Sequence, residues 1–168
     1  MPYREFHQSQ LTVISLVGLA MVAGCNHPAT ITATTPASNE ITPVSAENAG
    51  AALINATQAG DLQTVEMLLA NGVDPNAVVN TNTALTFAAR DGQLAIARTL
   101  INQGADVNWI DGENVTPLIL ASFKGHVELV KLLLAHGANP TIRDQWHRTA
   151  LDYALRRGED DEIAQLLQ

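Results

Sequence analysis

Apolar and small residues recur with a fixed period along the last two thirds of the chain. Leu53, Leu85, Leu118 and Leu151 form one series, and Ala56, Ala88, Ala121 and Ala154 a second. Gly60, Gly92, Gly125 and Gly158 form a third, and the spacings are 32, 33 and 33 residues in each. A further series, Gly72, Gly104 and Gly137, has spacings of 32 and 33. A period of this size with several positions in register predicts stacked repeat units rather than one globular core.

The unit is clearest from Asn114 to Pro140. Thr116 can cap a helix, and Pro117 takes the first helical position, where its missing N–H costs nothing. Leu118 and Ala121 share a face, and Gly125 ends this short helix and turns the chain. Val127, Val130, Leu133 and Leu134 then make the apolar stripe of a second helix, which Gly137 ends. Such a pair cannot bury its apolar face alone, so neighbours must stack. Apolar residues make up 46% of the chain but aromatic ones only 4%, which suits close packing of small-residue helices better than a sheet core.

This pattern resembles the ankyrin repeat. Thr116-Pro117-Leu118, Ala121, Gly125-His126, Val130, Leu132-Leu133-Leu134 and Gly137-Ala138-Asn139 carry the likeness in one unit. Thr83-Ala84-Leu85-Thr86, Ala88-Ala89, Gly92 and Gly104-Ala105-Asp106-Val107-Asn108 carry it in the unit before. The resemblance implies an all-α ankyrin-repeat solenoid of about four helix-turn-helix units with short β-hairpin fingers, the units lying near 48–80, 81–113, 114–146 and 147–168. The first and last units look like caps, and Glu159-Asp160-Asp161-Glu162 suits a helix N-terminus. The family's TPLH histidine is replaced by Thr86, Ile119 and Asp152, so its bond to the neighbouring loop is lost or altered. The finger from Asn76 to Thr83 is a residue shorter than the next and lacks the usual Asp and Gly.

The N-terminal third reads differently. Leu11 to Gly24 is almost wholly apolar but shorter than the roughly 20 residues that a membrane span needs. It has the length of a signal-peptide core, although Glu5 offsets Arg4 before it. Val22-Ala23-Gly24-Cys25 resembles the lipobox of bacterial lipoproteins, which implies acyl chains on Cys25. Residues 1–24 are then a lipoprotein signal peptide, 25–45 the lipidated cysteine and a Thr/Ala/Pro-rich tether, and 46–168 the repeat domain. By the same analogy Asn26 favours the outer membrane over the inner one, with the domain facing the periplasm. The competing reading is an ordinary cleaved signal with an incidental thiol. About 20 tether residues could reach roughly 60 Å.

Charge narrows the partners. The formal net charge is -8, which argues against nucleic acid. The resemblance places variable, partner-facing positions on finger tips and first helices. These are Arg90 and Asp91 in the second unit, with Trp109, Ile110, Glu113, Phe123 and Lys124 around the third. In the fourth they are Arg143, Trp146, Arg148, Arg156 and Arg157. Aromatics and arginines are the side chains most enriched at binding hot spots. Two other readings compete: Trp109 and Trp146 stacking on each other to hold the array, and the arginines neutralising Glu159 to Glu162.

Catalysis finds little support. His126 is expected to bond a local backbone group, His136 to end a helix and His147 to lie in a turn. None has a partner at metal-ligand spacing, and no phosphate loop or nucleophile elbow occurs. No cofactor, metal or small-molecule substrate is expected. The leading expectation is an envelope-anchored module that docks a periplasmic or envelope protein. An immunity or inhibitor protein that caps a toxin or enzyme, and a self-associating structural lipoprotein, are the alternatives.

Overall fold

The computed structural model describes residues 46–168, Glu159 excepted, so Cys25, the signal segment and the tether lie outside the described residues. Eight helices follow one another there: α1 (Ala46–Ala59), α2 (Leu62–Ala70), α3 (Ala84–Asp91), α4 (Leu94–Asn102), α5 (Pro117–Lys124), α6 (Val127–Ala135), α7 (Ala150–Leu155) and α8 (Glu162–Leu166). They pair as α1–α2, α3–α4, α5–α6 and α7–α8. The first helices pack on one another in one layer and the second helices in another, as the expected solenoid requires. None of these helices is long and apolar enough to cross a membrane.

The periodic residues fill the interior. Leu53, Leu85 and Leu118 are buried, and Ala88, Ala121 and Ala154 are sealed between first helices. Alanine there lets helix backbones approach closely, while Val65, Leu100, Leu133 and Ile163 close the second layer. Truncating a buried leucine such as Leu118 removes about 2–5 kcal/mol in comparable cores.

Local signals start the first helices. Thr83, Thr116 and Thr149 each accept a hydrogen bond from the amide three residues on. Thr86 and Asp152, which replace the family histidine, return a bond to the cap amide and complete a capping box. Ile119 cannot, and it is buried instead.

Side-chain amides then tie unit to unit. Asn76 Oδ1 accepts from the Asp106 amide at 2.7 Å, and its Nδ2 donates to the Gly104 carbonyl at 3.0 Å. Asn108 repeats this one unit on, accepting from Asn139 at 2.7 Å and donating to Gly137 at 3.1 Å. Thr141 stands at the next such position, with neither the amide nor the carbonyl that the ladder uses.

Two expectations need correction. The expected β-hairpin fingers are reduced to tight turns, with one antiparallel β-bridge among the described residues, between Val79 and Asn82. It falls in the shortened finger, where Asn80 and Thr81 both adopt left-handed backbone, φ 50° and 69°. That is the two-residue turn that matches strand twist, and it is costly for a β-branched residue such as Thr81. His126, in turn, has no local partner for its ring among the described residues. Its Nε2 lies 3.2 Å from the Arg90 carbonyl of the preceding unit, and its ring covers Gly92.

That contact makes Gly92 doubly constrained. Its φ is 72°, and a Cβ there would lie 2.6 Å from His126 Cε1. Gly104 also has a positive φ, 91°, but open space beside it. Gly92→Ala is therefore expected to lower the urea midpoint more than Gly104→Ala, which meets only the backbone cost of roughly 1 kcal/mol. Adding His126→Ala should recover part of the Gly92→Ala loss. Equal losses for the two glycines would remove the imidazole from this account.

Candidate functional site

The third and fourth units enclose a cleft of about 310 Å³. Its floor comes from Val115, at the end of a finger, and from Ile119 and Leu120 on α5. Phe123 and Trp146 form walls, and Tyr153, Arg148, Arg156 and Glu113 complete the lining. Phe123 and Tyr153 meet edge to face, with ring centroids 5.4 Å apart and planes at 77°. Phe123 is 50% and Trp146 54% exposed, so both present large apolar area to solvent.

The two fingers that flank the cleft are built alike. Asp111 Oδ1 accepts from the amides of Glu113 and Val115. Asp144 Oδ1 accepts from those of Trp146 and Arg148, each at 2.9 Å. Each turn contains one left-handed residue, Asn114 with φ 59° or His147 with φ 62°. The Gln145 amide donates to the Glu113 carbonyl at 3.0 Å and binds finger to finger.

Beneath the cleft lies a buried polar centre. Tyr153 donates its hydroxyl to Asp144 Oδ2, and Arg148 Nε stands 3.5 Å from the same oxygen. Burial alone would raise the Asp144 pKa. The Tyr153 hydroxyl, the Arg148 and Trp146 amides and the Arg148 charge outweigh it and hold the carboxyl below its ordinary value. Burial first, and the Asp144 carboxylate second, push the Tyr153 hydroxyl up. The Arg148 guanidinium carbon sits 4.7 Å from the Trp146 ring centre and 4.8 Å from that of Tyr153. Arg156 lies 5.5 Å from the Tyr153 ring.

The residues expected at a site divide accordingly. Glu113, Phe123, Trp146, Arg148 and Arg156 meet in the cleft. Lys124 stands over the Phe123 ring, 5.5 Å from its centre, and does not line the cleft. Arg90 and Asp91 are engaged with each other at 2.8 and 3.0 Å, and Arg90 covers Phe87. Arg143 donates to the His147 carbonyl, and Ile110 is exposed but outside the cleft. Trp109 donates its indole N–H to the Thr81 carbonyl at 2.9 Å, so it pins the strained finger. Stacking of Trp109 on Trp146 is not seen, since Phe123–Tyr153 is the one close aromatic pair among the described residues.

Arg157 follows the neutralising reading. It pairs with both Asp161 oxygens, at 2.8 and 2.9 Å, and donates to the Ser122 and Phe123 carbonyls. Asp161 in turn caps α8. Sequence reasoning missed Tyr153 and the buried role of Asp144. Tyr153 shares its repeat position with Phe87 and Leu120, and Arg156 shares that of Arg90 and Phe123. An aromatic followed three residues later by arginine was the available signal.

A family model described as ankyrin repeats, three copies, matches residues 19–111, 53–144 and 108–168. The chain belongs to the ankyrin-repeat family. Ankyrin repeats are generic protein–protein interaction modules, and the family is typically non-enzymatic. Over 59 residues this ankyrin-repeat chain is 42% identical to the E3 ubiquitin-protein ligase hecd-1 of Caenorhabditis elegans, which covers 34% of the chain and 2% of that protein. Over 48 residues it is 46% identical to a protein of Arabidopsis thaliana named "Putative E3 ubiquitin-protein ligase XBAT34", covering 29% of the chain and 13% of that protein. The matched stretches are thus a small part of both relatives, and their ligase activity does not carry over.

The Asp144 centre has a signed pH dependence. A carboxyl whose pKa is depressed by folding stabilises the fold above its unfolded value, about pH 4, and loses that contribution as pH falls through the lower folded value. Asp144→Asn should lower the urea midpoint at pH 7 and make it fall less between about pH 4 and pH 2 than in the parent. Asp61, Asp91, Asp152 and Asp161 are depressed too and keep some slope in both proteins. Identical acid slopes would contradict the centre described.

Proposed function

We propose that this ankyrin-repeat protein is a lipid-anchored docking module of a bacterial cell envelope. Cys25 is the anchored residue, residues 26–45 are the tether, and the repeat domain faces the periplasm from the outer membrane. What supports the anchor is the apolar run Leu11 to Gly24 ending in small residues and the chain's single cysteine. Two or three acyl chains anchor durably where one would not.

The docking half rests on one observation, the open cleft between the third and fourth units with two half-exposed aromatic walls and two arginines. Apolar surface of that kind beside guanidinium groups is what partner recognition uses. The partner is a protein of the periplasm or envelope, held near the membrane by the tether's reach. The immunity-protein alternative gains no separate observation, because Arg157 is taken up inside the fold.

One experiment reads both halves. The full chain carries a photo-crosslinking residue at position 146 or, as control, at the exposed Arg98 on α4. The expected result is a discrete protein adduct from position 146 and none from 98, with the chain in the membrane fraction. Cys25→Ser should release the chain from membranes without abolishing folding. Membrane retention of the Cys25→Ser chain would overturn the anchor, and an adduct from 98 but not 146 would move the docking surface off the cleft.

A further inference from the structure

The cleft holds a guanidinium whose terminal nitrogens have no acceptor among the described residues. The Arg148 side chain is 26% exposed and is flanked by the Trp146 and Tyr153 rings. Its Nε is buried, lies 3.5 Å from Asp144 Oδ2 and makes no hydrogen bond. Among the described residues its terminal nitrogens donate to no protein acceptor. Asp144 is largely taken up, since two amides fill Oδ1 and the Tyr153 hydroxyl takes one of the two acceptor sites of Oδ2, leaving one beside Arg148 Nε. The buried Nε is the donor that is costly to leave unpaired, while the terminal nitrogens reach solvent and are open to an incoming acceptor.

Arg156 adds a second fork against the Tyr153 ring and forms no ion pair among the described residues. Lys124 stands nearby over Phe123. Against these three cations stand the buried Asp144 and the rim residue Glu113, so the cleft is locally basic in a chain of net charge -8. Beside the guanidinium groups the floor is wholly aliphatic. A polyanion fits poorly, because Glu113 and the acidic remainder would repel it. One carboxylate beside one apolar group fits both halves, and a cleft of about 310 Å³ is at the small end of ligand sites.

We propose that the cleft receives an extended peptide segment of the partner in which an acidic side chain neighbours a bulky apolar one. The carboxylate accepts from the Arg148 and Arg156 forks. The apolar side chain lies on Val115, Ile119 and Leu120 between Phe123 and Trp146. Planar forks pre-set by stacking on aromatic rings lose little freedom when they close on a carboxylate. This inference rests on the docking reading above and adds the chemistry of the occupant.

The test is selection of random seven-residue peptides displayed on phage against the full chain in mild detergent. The expected enrichment is Asp or Glu within two positions of Leu, Ile, Phe or Trp. Binding of the enriched peptides should weaken at least about tenfold with Arg148→Gln and measurably with Arg156→Gln, the exposed and fold-neutral change. Replacing the acidic residue by its amide should weaken it alike. Apolar peptides without an acid, or acidic ones indifferent to Arg156→Gln and to amidation, would overturn the carboxylate proposal. If those peptides still needed Phe123 and Trp146, shown by loss with Phe123→Ala and Trp146→Ala, the docking reading would survive. Binding unchanged by all four substitutions, or no enrichment, would overturn both.

Discussion

No helix pair in this chain can bury its apolar face alone, and that constraint governs everything else. A single helix pair covers only part of its apolar residues, and the rest meet the neighbouring units, first helix on first helix and second on second. The sealed positions Ala88, Ala121 and Ala154 lie where first helices meet, which is an interface between repeats and not within one. The stability of such an array is close to a sum of unit and neighbour terms, with the neighbour terms decisive. The rigidity of any surface on the array therefore depends on the interface beneath it.

The polar side chains reinforce the same interfaces instead of forming a separate system. Asn76 and Asn108 tie loop to loop, His126 reaches the Arg90 carbonyl of the unit before, and Arg157 reaches back to Ser122 and Phe123. Each of these bonds spans 28 to 36 residues, about one repeat. The cleft is a product of the last such interface. Its floor comes from Val115 and α5, its polar centre from the last finger and α7, and neither part alone makes it.

Legibility in the sequence followed the range of the interaction. Thr116 could be read as a cap because a cap acts within four residues, and Thr83 and Thr149 cap at the same repeat position. The periodic Leu and Ala positions could be read as core because the period is itself the record of stacking. The finger at Asn80 and Thr81 was obscure, since its left-handed pair carries no glycine to mark it. His126 was assigned a local bond because its true acceptor lies 36 residues away. Trp109 and Trp146 looked equivalent. Only the fold shows that Trp109 meets a preceding finger with a free carbonyl, while Trp146 opens onto the cleft. Phe123, Trp146, Arg148 and Arg156 were legible as candidates, but the buried Asp144–Tyr153 pair that orders Arg148 was not.

The array folds as one unit, and the cleft is as ordered as the stack that makes it. Trp109 and Trp146 report on two different interfaces. Single-tryptophan chains, made with Trp146→Phe or Trp109→Phe, allow each to be followed during urea unfolding beside the far-ultraviolet circular dichroism of the same sample. In each variant, fluorescence and dichroism should trace one coincident transition. A Trp146 transition at clearly lower urea than the loss of helix would mean that the fourth unit opens by itself, and the cleft with it.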